Sequence, residues 1–338
     1  MTAFDLPLSE LESYTPESYE PEDFDQFWAS TLADAAKHDL AARFVPVDTG
    51  FTLVDTYDVT FAGFGGHPVR AWLRVPRGTA TTVPIVVQFH GYNGGRGLAH
   101  DPSLWPLAGF ATMSVDTRGQ GAGHQIGATP DPAPGTNPEH SGFMTRGISS
   151  PHGYYYRRVF TDAVRAVEAA RAFPGVDPAR TVVTGTSQGG GITLAAAGLI
   201  PDLAAVMPDV PFLADFPRAL AVTDRSPYSE LVRFLRVQRA MGEQVMRTLS
   251  YIDVVAHARR ANAPTLFSVA LMDATCPPST VFGAYNAYAA TDKQISVYPF
   301  NDHEGGQMEQ EVVKLRWLKE LFETVDHPLG GSELIGQR

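Results

Sequence analysis

A serine, an aspartate and a histidine occur in this chain in the order that nucleophilic catalysis requires. Ser187 lies in the segment VTGTSQGGG, between Gly185 and Gly189, and Asp273 and His303 follow later. A serine hydroxyl is a weak nucleophile until a neighbouring base takes its proton, and that base needs an acid to orient it. Together, the three residue types indicate acyl transfer through a covalent intermediate on Ser187.

The spacing around Ser187 predicts how its hydroxyl is presented. The pattern G-x-S-x-G, between the apolar run RTVVTG and the helix-like run GGGITLAAAGLI, is that of the nucleophile elbow of α/β hydrolases. Side chains at Gly185 and Gly189 are expected to strike the adjacent strand and helix, so the turn would lift the hydroxyl into a cleft. An ordinary phosphate-binding turn is the alternative, but neither G-x-G-x-x-G nor a Walker lysine is present.

The acid and the base of this fold each follow a later strand, in the order nucleophile, acid, base. His303 in YPFNDHEGG follows the last predicted strand and is the predicted base. His257, in a basic helical stretch, and His327, near the C-terminus, are predicted to be surface residues. Asp273 directly follows the run PTLFSVAL and is the predicted acid. Asp302 is the rival, although side chains adjacent in sequence rarely face one another.

Two further residues are weaker candidates for a catalytic role. Asp209 lies too early in the chain, after the strand that directly follows the elbow. Cys276 is the single cysteine and lies in a proline-flanked turn with no histidine near it in sequence, so a buried apolar role is predicted. One cysteine allows neither an internal disulfide nor a thiolate metal site. The sequence therefore predicts neither a disulfide nor a thiolate metal site, and no cofactor is expected.

A tetrahedral intermediate also needs donors for its oxyanion. The residue after the nucleophile supplies one backbone N–H, which here belongs to Gln188, and a loop after an earlier strand supplies the second. The run VPIVVQFHGYNGG places His90, Gly91 and Tyr92 in such a loop. A plain glycine turn is the alternative, but it is disfavoured because the loop follows the strand so directly.

The elements that must position these residues are predicted from alternating apolar and helical stretches. FTLVDTYDVTF and PVRAWLRVP, joined by the turn-like AGFGGH, are typical of an antiparallel pair. Six later runs are typical of buried parallel strands: VPIVVQFH, FATMSVD, RTVVTG, LAAVMPDV, PTLFSVALMD and KQISVYPF. An α/β fold with a mostly parallel central sheet flanked by helices follows.

Residues 1–338 are predicted to form one domain, because no repeat or flexible low-complexity linker divides them. A helical extension over about residues 1–50 and a helical insert over about residues 210–262 are expected outside the sheet. A long segment rich in Gly and Pro, beginning GQGAGHQIG, has no periodicity, which is typical of a functional or interface loop.

The composition and the apolar segments of the sequence argue against several classes of binding partner and against a secretory or membrane-spanning protein. Hydrophobic residues make up 44% and charged residues 19% of the chain, which suits a large core. The net charge of −11 argues against nucleic acid and anionic membranes as partners. The start lacks a basic n-region and an apolar h-region, and the run ITLAAAGLI is too short to cross a bilayer. A cytoplasmic protein is expected.

With these motifs assembled, the chain resembles the acetyl xylan esterases and cephalosporin C deacetylases of carbohydrate esterase family seven. The likeness covers nearly the whole chain and lies in these segments: DLPLSELESYTP, DFDQFW, HGYNGG, DTRGQG, GTSQGGG, DATCPPSTVFGAYN and DHEGG. Hydrolases in general share the elbow, whereas the combination of RGQG, SQGGG and HE is much more specific.

The resemblance implies a role for each candidate residue. Ser187 matches the nucleophile of the family, Asp273 its acid and His303 its base. Tyr92 and Gln188 match its oxyanion donors through their backbone N–H groups, and Tyr92 is also expected to contact the acyl group of the substrate. The RGQ motif is expected to brace loops near the site.

The resemblance further implies an α/β-hydrolase fold and metal-free removal of acetyl groups from short xylo-oligosaccharides and cephalosporin C. It also implies a hexamer whose active sites face an internal cavity, with the Gly/Pro segment and the helical insert at the rim and subunit contacts. An acyltransferase or a general short-chain carboxylesterase on the same scaffold, and a binding module without catalysis, are the alternatives.

Overall fold

A nine-stranded sheet organises the chain, in a computed structural model that describes residues 4–17, 19–79, 81–132 and 139–326. The strands are β1 Arg43–Val47, β2 Val54–Ala62, β3 Pro68–Pro76, β4 Val83–Phe89, β5 Ala111–Val115, β6 Val176–Thr186, β7 Ala205–Asp209, β8 Thr265–Ala270 and β9 Lys293–Tyr298. Their order across the sheet is β1-β2-β3-β5-β4-β6-β7-β8-β9.

The pairing divides the sheet into two parts. Strands β1, β2, β3 and β5 pair antiparallel in that order. All pairs from β5 through β4, β6, β7 and β8 to β9 are parallel. The six apolar runs and the antiparallel pair predicted from the sequence all occur as strands. The parallel part brings the carboxyl ends of β4, β6 and β8 to one edge, where the predicted site residues follow.

Strand β1 was not predicted. It lies at the edge of the sheet, and every one of its five residues is exposed or only partly buried. Its sequence RFVPV therefore lacks the apolar alternation that identifies a half-buried strand. Pro46 is tolerated because an edge strand has one side without a ladder partner. The N-terminal extension thus contains a strand as well as helices.

Eleven helices are present in the described residues: α1 Leu8–Leu11, α2 Phe24–Ala36, α3 Leu104–Leu107, α4 Tyr155–Arg171, α5 Gln188–Leu199, α6 Phe216–Val222, α7 Tyr228–Val237, α8 Gly242–Ser250, α9 Val254–Ala258, α10 Pro278–Ala287 and α11 Gln307–Asp326. Three short 3₁₀ segments are Phe64–Gly66, Phe143–Thr145 and Arg239–Met241. Helices α6 to α9 occupy the region predicted as a helical insert. Within the described parts of the chain, none of the helices has both the length and the apolar character needed to span a bilayer.

Helices cover both faces of the parallel strands. Successive side chains of a strand point to opposite faces, and β4 shows the consequence. Ile85 and Val87 pack in the larger core cluster with the buried residues of α4 and α5. Val86, between them, packs in a second cluster with Trp105 of α3 and Leu318 of α11. The apolar runs of β4 to β8 are therefore largely buried, as their sequences predict. The run KQISVYPF, also predicted to be a buried strand, is only partly so, because β9 lies at the edge of the sheet and each of its residues is exposed or partly buried.

His257 is fully buried, so its predicted surface position is wrong. The imidazole lies in α9 against the rings of Phe24, Trp28 and Phe160, and neither ring nitrogen has a hydrogen-bond partner in the described structure. Gly198 on α5 allows this packing, because a Cβ there would lie 2.5 Å from the His257 carbonyl oxygen. The prediction failed because the residues that follow His257 in sequence are basic and indicated a surface position. Those basic residues lie on the outer side of the same turn.

The burial of His257 predicts a loss of stability in acid. Burial lowers the pKa of His257 to about 3, whereas an unfolded imidazole titrates near about 6.5. The unfolded chain therefore binds the extra proton first, and this contribution to stability is lost as pH falls below the unfolded value. Between about pH 7 and pH 5 the loss amounts to about 2 kcal/mol. Urea unfolding of the wild type and of His257→Leu at both pH values should show this difference.

When the two proteins are compared, the contributions of all other titrating groups to the pH dependence of stability cancel, because only residue 257 differs between them. His100→Leu, at an exposed histidine, is the control and should keep the pH dependence of the wild type. Equal loss of stability in the wild type and His257→Leu would contradict this prediction.

Candidate active site

The turn that carries Ser187 is as tight as its glycines predict. Ser187 lies between β6 and α5 with φ 59° and ψ −119°, a strained conformation for a residue with a side chain. A Cβ at Gly185 would lie 2.5 Å from the carbonyl carbon of Gly189, and one at Gly189 would lie 2.3 Å from the carbonyl oxygen of Phe89. One glycine thus lets α5 approach its own strand, and the other lets it approach β4. This confirms the steric reason predicted for the two glycines.

Ser187, His303 and Asp273 form a continuous chain of hydrogen bonds. The His303 Nε2 atom lies 2.9 Å from Ser187 Oγ, and its Nδ1 atom lies 2.8 Å from Asp273 Oδ2. Asp273 is fully buried, whereas 32% of the His303 side chain is exposed. The base therefore reaches from a buried carboxylate to a hydroxyl at the wall of an open cavity.

The loop after β8 fixes the orientation of the Asp273 carboxylate. Its Oδ1 atom accepts hydrogen bonds from the backbone N–H groups of Thr275, at 2.7 Å, and Cys276, at 2.9 Å. The second oxygen is left to face His303. Because Oδ1 accepts both of these backbone hydrogen bonds, the carboxylate cannot rotate without breaking them.

Asp302 and Asp209, the other candidates for the acid, do not take part in this hydrogen-bond chain. Asp302 makes no side-chain hydrogen bond to His303 among the bonds of the described residues. Asp209 is buried at the end of β7, where it lies 2.6 Å from the ammonium of Lys314 and accepts from Ser268 at 2.9 Å. Its backbone oxygen accepts from the N–H of Ser187, so it supports the turn rather than the base. His327 lies outside the described residues.

Cys276 lies next to the acid and the base. Potential ligand atoms of Asp273, Cys276 and His303 all lie within 4.8 Å of one another, which the sequence did not predict. The carboxylate and both ring nitrogens already take part in the hydrogen-bond chain to Ser187. Burial raises the pKa of the Cys276 thiol, so the free thiol is protonated and a poor nucleophile. The cluster suits a triad beside a buried thiol better than a metal site.

Two backbone N–H groups beside Ser187 are available to a substrate. Neither the N–H of Gln188 nor that of Tyr92 donates to another group within the described part of the chain. Gln188 is the first residue of α5, where N–H groups have no acceptor within the helix. The loop that carries Tyr92 approaches the elbow closely, since a Cβ at Gly91 would lie 3.8 Å from the Thr186 carbonyl oxygen.

The side chains of Gln188 and Gln120 hold this loop against α5. They exchange hydrogen bonds of 2.8 and 3.2 Å, and Gln120 Oε1 also accepts from the N–H of Asn93 at 2.5 Å. Both glutamines are fully buried. Arg118 of the same RGQ motif makes a bidentate ion pair with Asp162, with 2.5 Å between Nε and Oδ2 and 2.7 Å between Nη2 and Oδ1. These contacts fit the bracing role that the resemblance implies for the motif.

The Tyr92 hydroxyl joins three segments near the elbow. It lies 2.7 and 2.8 Å from the carboxylate oxygens of Glu230 in α7, to which it donates. It accepts from the N–H groups of Gly142, at 3.2 Å, and Phe143, at 2.9 Å. Burial and the charge of Glu230 raise the pKa of Tyr92, so the phenol stays a neutral donor. Glu230 was not predicted from the sequence, because SELVRF looks like any surface helix.

A cavity of about 740 Å³ opens beside the hydrogen-bonded triad. Ser187, His303 and Tyr92 line it, and Arg74 and Asp101 also lie in its wall. Cavities that hold small ligands have volumes of about 300–1,000 Å³. The space is therefore large enough for a substrate of which an acyl group is only a small part.

Comparisons with known proteins agree with one another. Residues 1–321 match the family described as acetyl xylan esterase (AXE1). Acetyl esterase Axe7A of Xylanibacter ruminicola is 27% identical over 308 residues, which cover 90% of this chain and 68% of that protein.

Two solved structures are similar over almost their whole length. The acetyl xylan esterase from Paenibacillus sp. R4 is 37% identical with a TM-score of 0.86, and the match covers 93% of this chain and 99% of that one. Acetyl xylan esterase 1 from Thermoanaerobacterium sp. JW/SL YS485 is 32% identical with a TM-score of 0.85, over 94% of this chain and 100% of that one. With the sheet order above, these similarities confirm the predicted α/β-hydrolase fold.

Proposed function

This chain belongs to the acetyl xylan esterase family and is a carboxylic ester hydrolase, and from that premise we propose that it deacetylates small carbohydrates. Its substrates are acetylated xylo-oligosaccharides and other small acetyl esters such as cephalosporin C. The observation that carries the proposal is the hydrogen-bond chain from Asp273 through His303 to Ser187.

The first half of the reaction acetylates Ser187. His303 Nε2 takes the hydroxyl proton as Ser187 Oγ attacks the acetyl carbonyl carbon, and the carbonyl oxygen becomes an oxyanion. The N–H groups of Tyr92 and Gln188 donate to that oxygen, which stabilises the charge where it develops. As the intermediate collapses and its bond to the sugar oxygen breaks, His303 gives its proton to that oxygen, which leaves as a hydroxyl, and the acetyl group stays on Ser187. Asp273 stabilises the imidazolium that exists between the two transfers.

The second half restores the enzyme. His303 takes a proton from a water molecule, which attacks the acetyl carbon of the ester on Ser187. The same two N–H groups bind the new oxyanion, and its collapse returns the proton to Ser187 Oγ and releases acetate. An alcohol in place of water would give acyl transfer, so comparing acetate release with transfer to added sugar separates an esterase from an acyltransferase.

The direct test of the substrate class is acetate release from acetylated xylobiose and from cephalosporin C by the purified chain. Both should be deacetylated, and activity should survive exhaustive chelation because no step requires a metal. Loss of activity with EDTA and its recovery with zinc would favour a metal-dependent mechanism. Failure to deacetylate any sugar acetate would overturn the substrate class.

Acyl length gives a sharper prediction. Tyr92 lines the cavity beside Ser187, and we propose that its ring forms a wall of the acyl pocket. Its hydroxyl is held by Glu230 and the segment at Gly142, which restricts movement of the ring. Overfilling a rigid pocket costs about 1–3 kcal/mol, so kcat/KM should fall about 5- to 150-fold from acetyl to butyryl p-nitrophenyl esters. A preference for longer acyl chains would instead indicate a general carboxylesterase with an open groove.

A closed hexamer is the assembly we propose, on the resemblance alone. Its enclosed active sites would admit short acetylated oligosaccharides and exclude polymeric xylan. Light scattering tests the assembly, and a monomer in solution would contradict it. The cytoplasmic location stays a prediction from the sequence.

A further inference from the structure

Arg74 is a buried cation without an ion-pair partner in the wall of the cavity that holds Ser187. Only 4% of this β3 residue is exposed. Its Nη2 atom donates to the carbonyl oxygens of Leu98, at 2.8 Å, and Ala99, at 3.4 Å, while its Nε atom is buried with no partner. No carboxylate of the described residues lies within ion-pairing distance of the guanidinium. A buried cation of this kind costs free energy unless a ligand in the cavity that it lines pairs with the guanidinium.

Asp101 lines the same cavity and supplies an acceptor. Its Oδ2 atom accepts from the N–H of Leu98 at 2.9 Å. A Cβ at Gly97, where φ is +70°, would lie 2.0 Å from that oxygen, so the glycine lets the carboxylate fold against the loop. Burial lowers the pKa of Arg74, and the negative charge of Asp101 opposes that change. The two charges therefore influence each other across the cavity wall without forming an ion pair.

We propose that Arg74 and Asp101 form a subsite for two neighbouring hydroxyl groups of the carbohydrate part of the substrate. A hydroxyl both donates and accepts, so a diol can accept from the guanidinium and donate to the carboxylate at the same time. A substrate carboxylate would be repelled by Asp101, and a substrate ammonium by Arg74. A neutral polyol is the ligand that suits both groups.

The position of Arg74 separates this subsite from the acyl pocket. Strand β3 lies three places from β6 in the sheet, with β5 and β4 between them. At about 4.8 Å per strand the two strand axes are about 14 Å apart, which is beyond the reach of an acetyl group bound at Ser187. The subsite therefore contacts the sugar, and it rests on the proposed function for its substrate class.

Arg74→Gln and Asp101→Asn test the subsite. Each should raise KM for acetylated xylobiose about tenfold or more, because a hydrogen bond to a charged group is lost. Each should leave kcat/KM for p-nitrophenyl acetate, which has no sugar hydroxyl, within about twofold of the wild type. Arg77→Gln and Asp55→Asn, at an exposed pair with 2.6 Å between Nη2 and Oδ1, are matched controls and should change neither substrate.

Binding of xylobiose provides a second measurement, independent of turnover. Xylobiose should raise the thermal unfolding temperature of the wild type but not of Asp101→Asn, whose side chain keeps the size of the original and its acceptor for Leu98. Equal loss of activity on both substrates, or unchanged KM for acetylated xylobiose, would overturn the subsite. If the wild type fails to deacetylate acetylated xylobiose, the proposed function is wrong, and thermal protection by xylobiose still decides whether the subsite exists.

Discussion

Replacing Ser187 by alanine should lower kcat for p-nitrophenyl acetate on the order of 10⁶-fold, because no other group can take the acetyl. The Cys276 thiol is the nearest alternative nucleophile, and burial keeps it protonated. Alanine has the same Cβ as serine, so the backbone strain at this turn is unchanged and the variant should fold. Initial rates and thermal unfolding of one preparation measure both effects.

Ser103→Ala is a matched control for that replacement, since Ser103 lines the same cavity without touching the triad. It should keep the activity of the wild type on p-nitrophenyl acetate. A clean preparation of Ser187→Ala that retains more than a few per cent of the activity would show that another group forms the acyl intermediate.

Replacing Asp273 by asparagine should lower kcat about 10⁴-fold. The amide of asparagine can present N–H to His303 Nδ1, which favours the wrong tautomer for accepting the Ser187 proton. The N–H groups of Thr275 and Cys276 still find a carbonyl oxygen, so folding should survive. Initial rates on p-nitrophenyl acetate provide the measurement.

Asp302→Asn makes the same chemical change one residue from His303 and is the natural comparison. Its side chain makes no hydrogen bond to the imidazole among the described residues, so its activity should stay close to that of the wild type. If Asp302→Asn were the more damaging of the two, the acid would be misassigned.

The elements that carry the triad could be predicted from the sequence because their signals are local. The strands β4 to β8 contain short apolar runs, since both faces of the sheet are covered there. The glycines around Ser187 have a steric cause that acts within a few residues and across one strand. The parallel strands of the fold bring the loops after β6, β8 and β9 to the same edge of the sheet, so the choice of Asp273 and His303 needed no contact information.

The residues that were missed depend on contacts between distant parts of the chain. The carboxylate of Glu230 in α7 accepts a hydrogen bond from the Tyr92 hydroxyl, and no pattern in the sequence of the helix predicts that contact. His257 is buried because α9 packs against α2 and α4, while its own neighbours in sequence are basic. Arg74 looks like an outward residue of an antiparallel strand until the loop after β4 covers it. Such contacts are products of tertiary packing, which periodicity does not encode.

The most direct test of the central claim is covalent trapping of the nucleophile. Diethyl p-nitrophenyl phosphate reacts with a serine only where a base removes its proton, and the adduct is not hydrolysed readily. We predict complete inactivation with release of one equivalent of p-nitrophenol per chain, and a diethylphosphoryl group on Ser187 in the peptide mass spectrum. An adduct on another residue, or full activity after prolonged treatment, would contradict serine catalysis at Ser187.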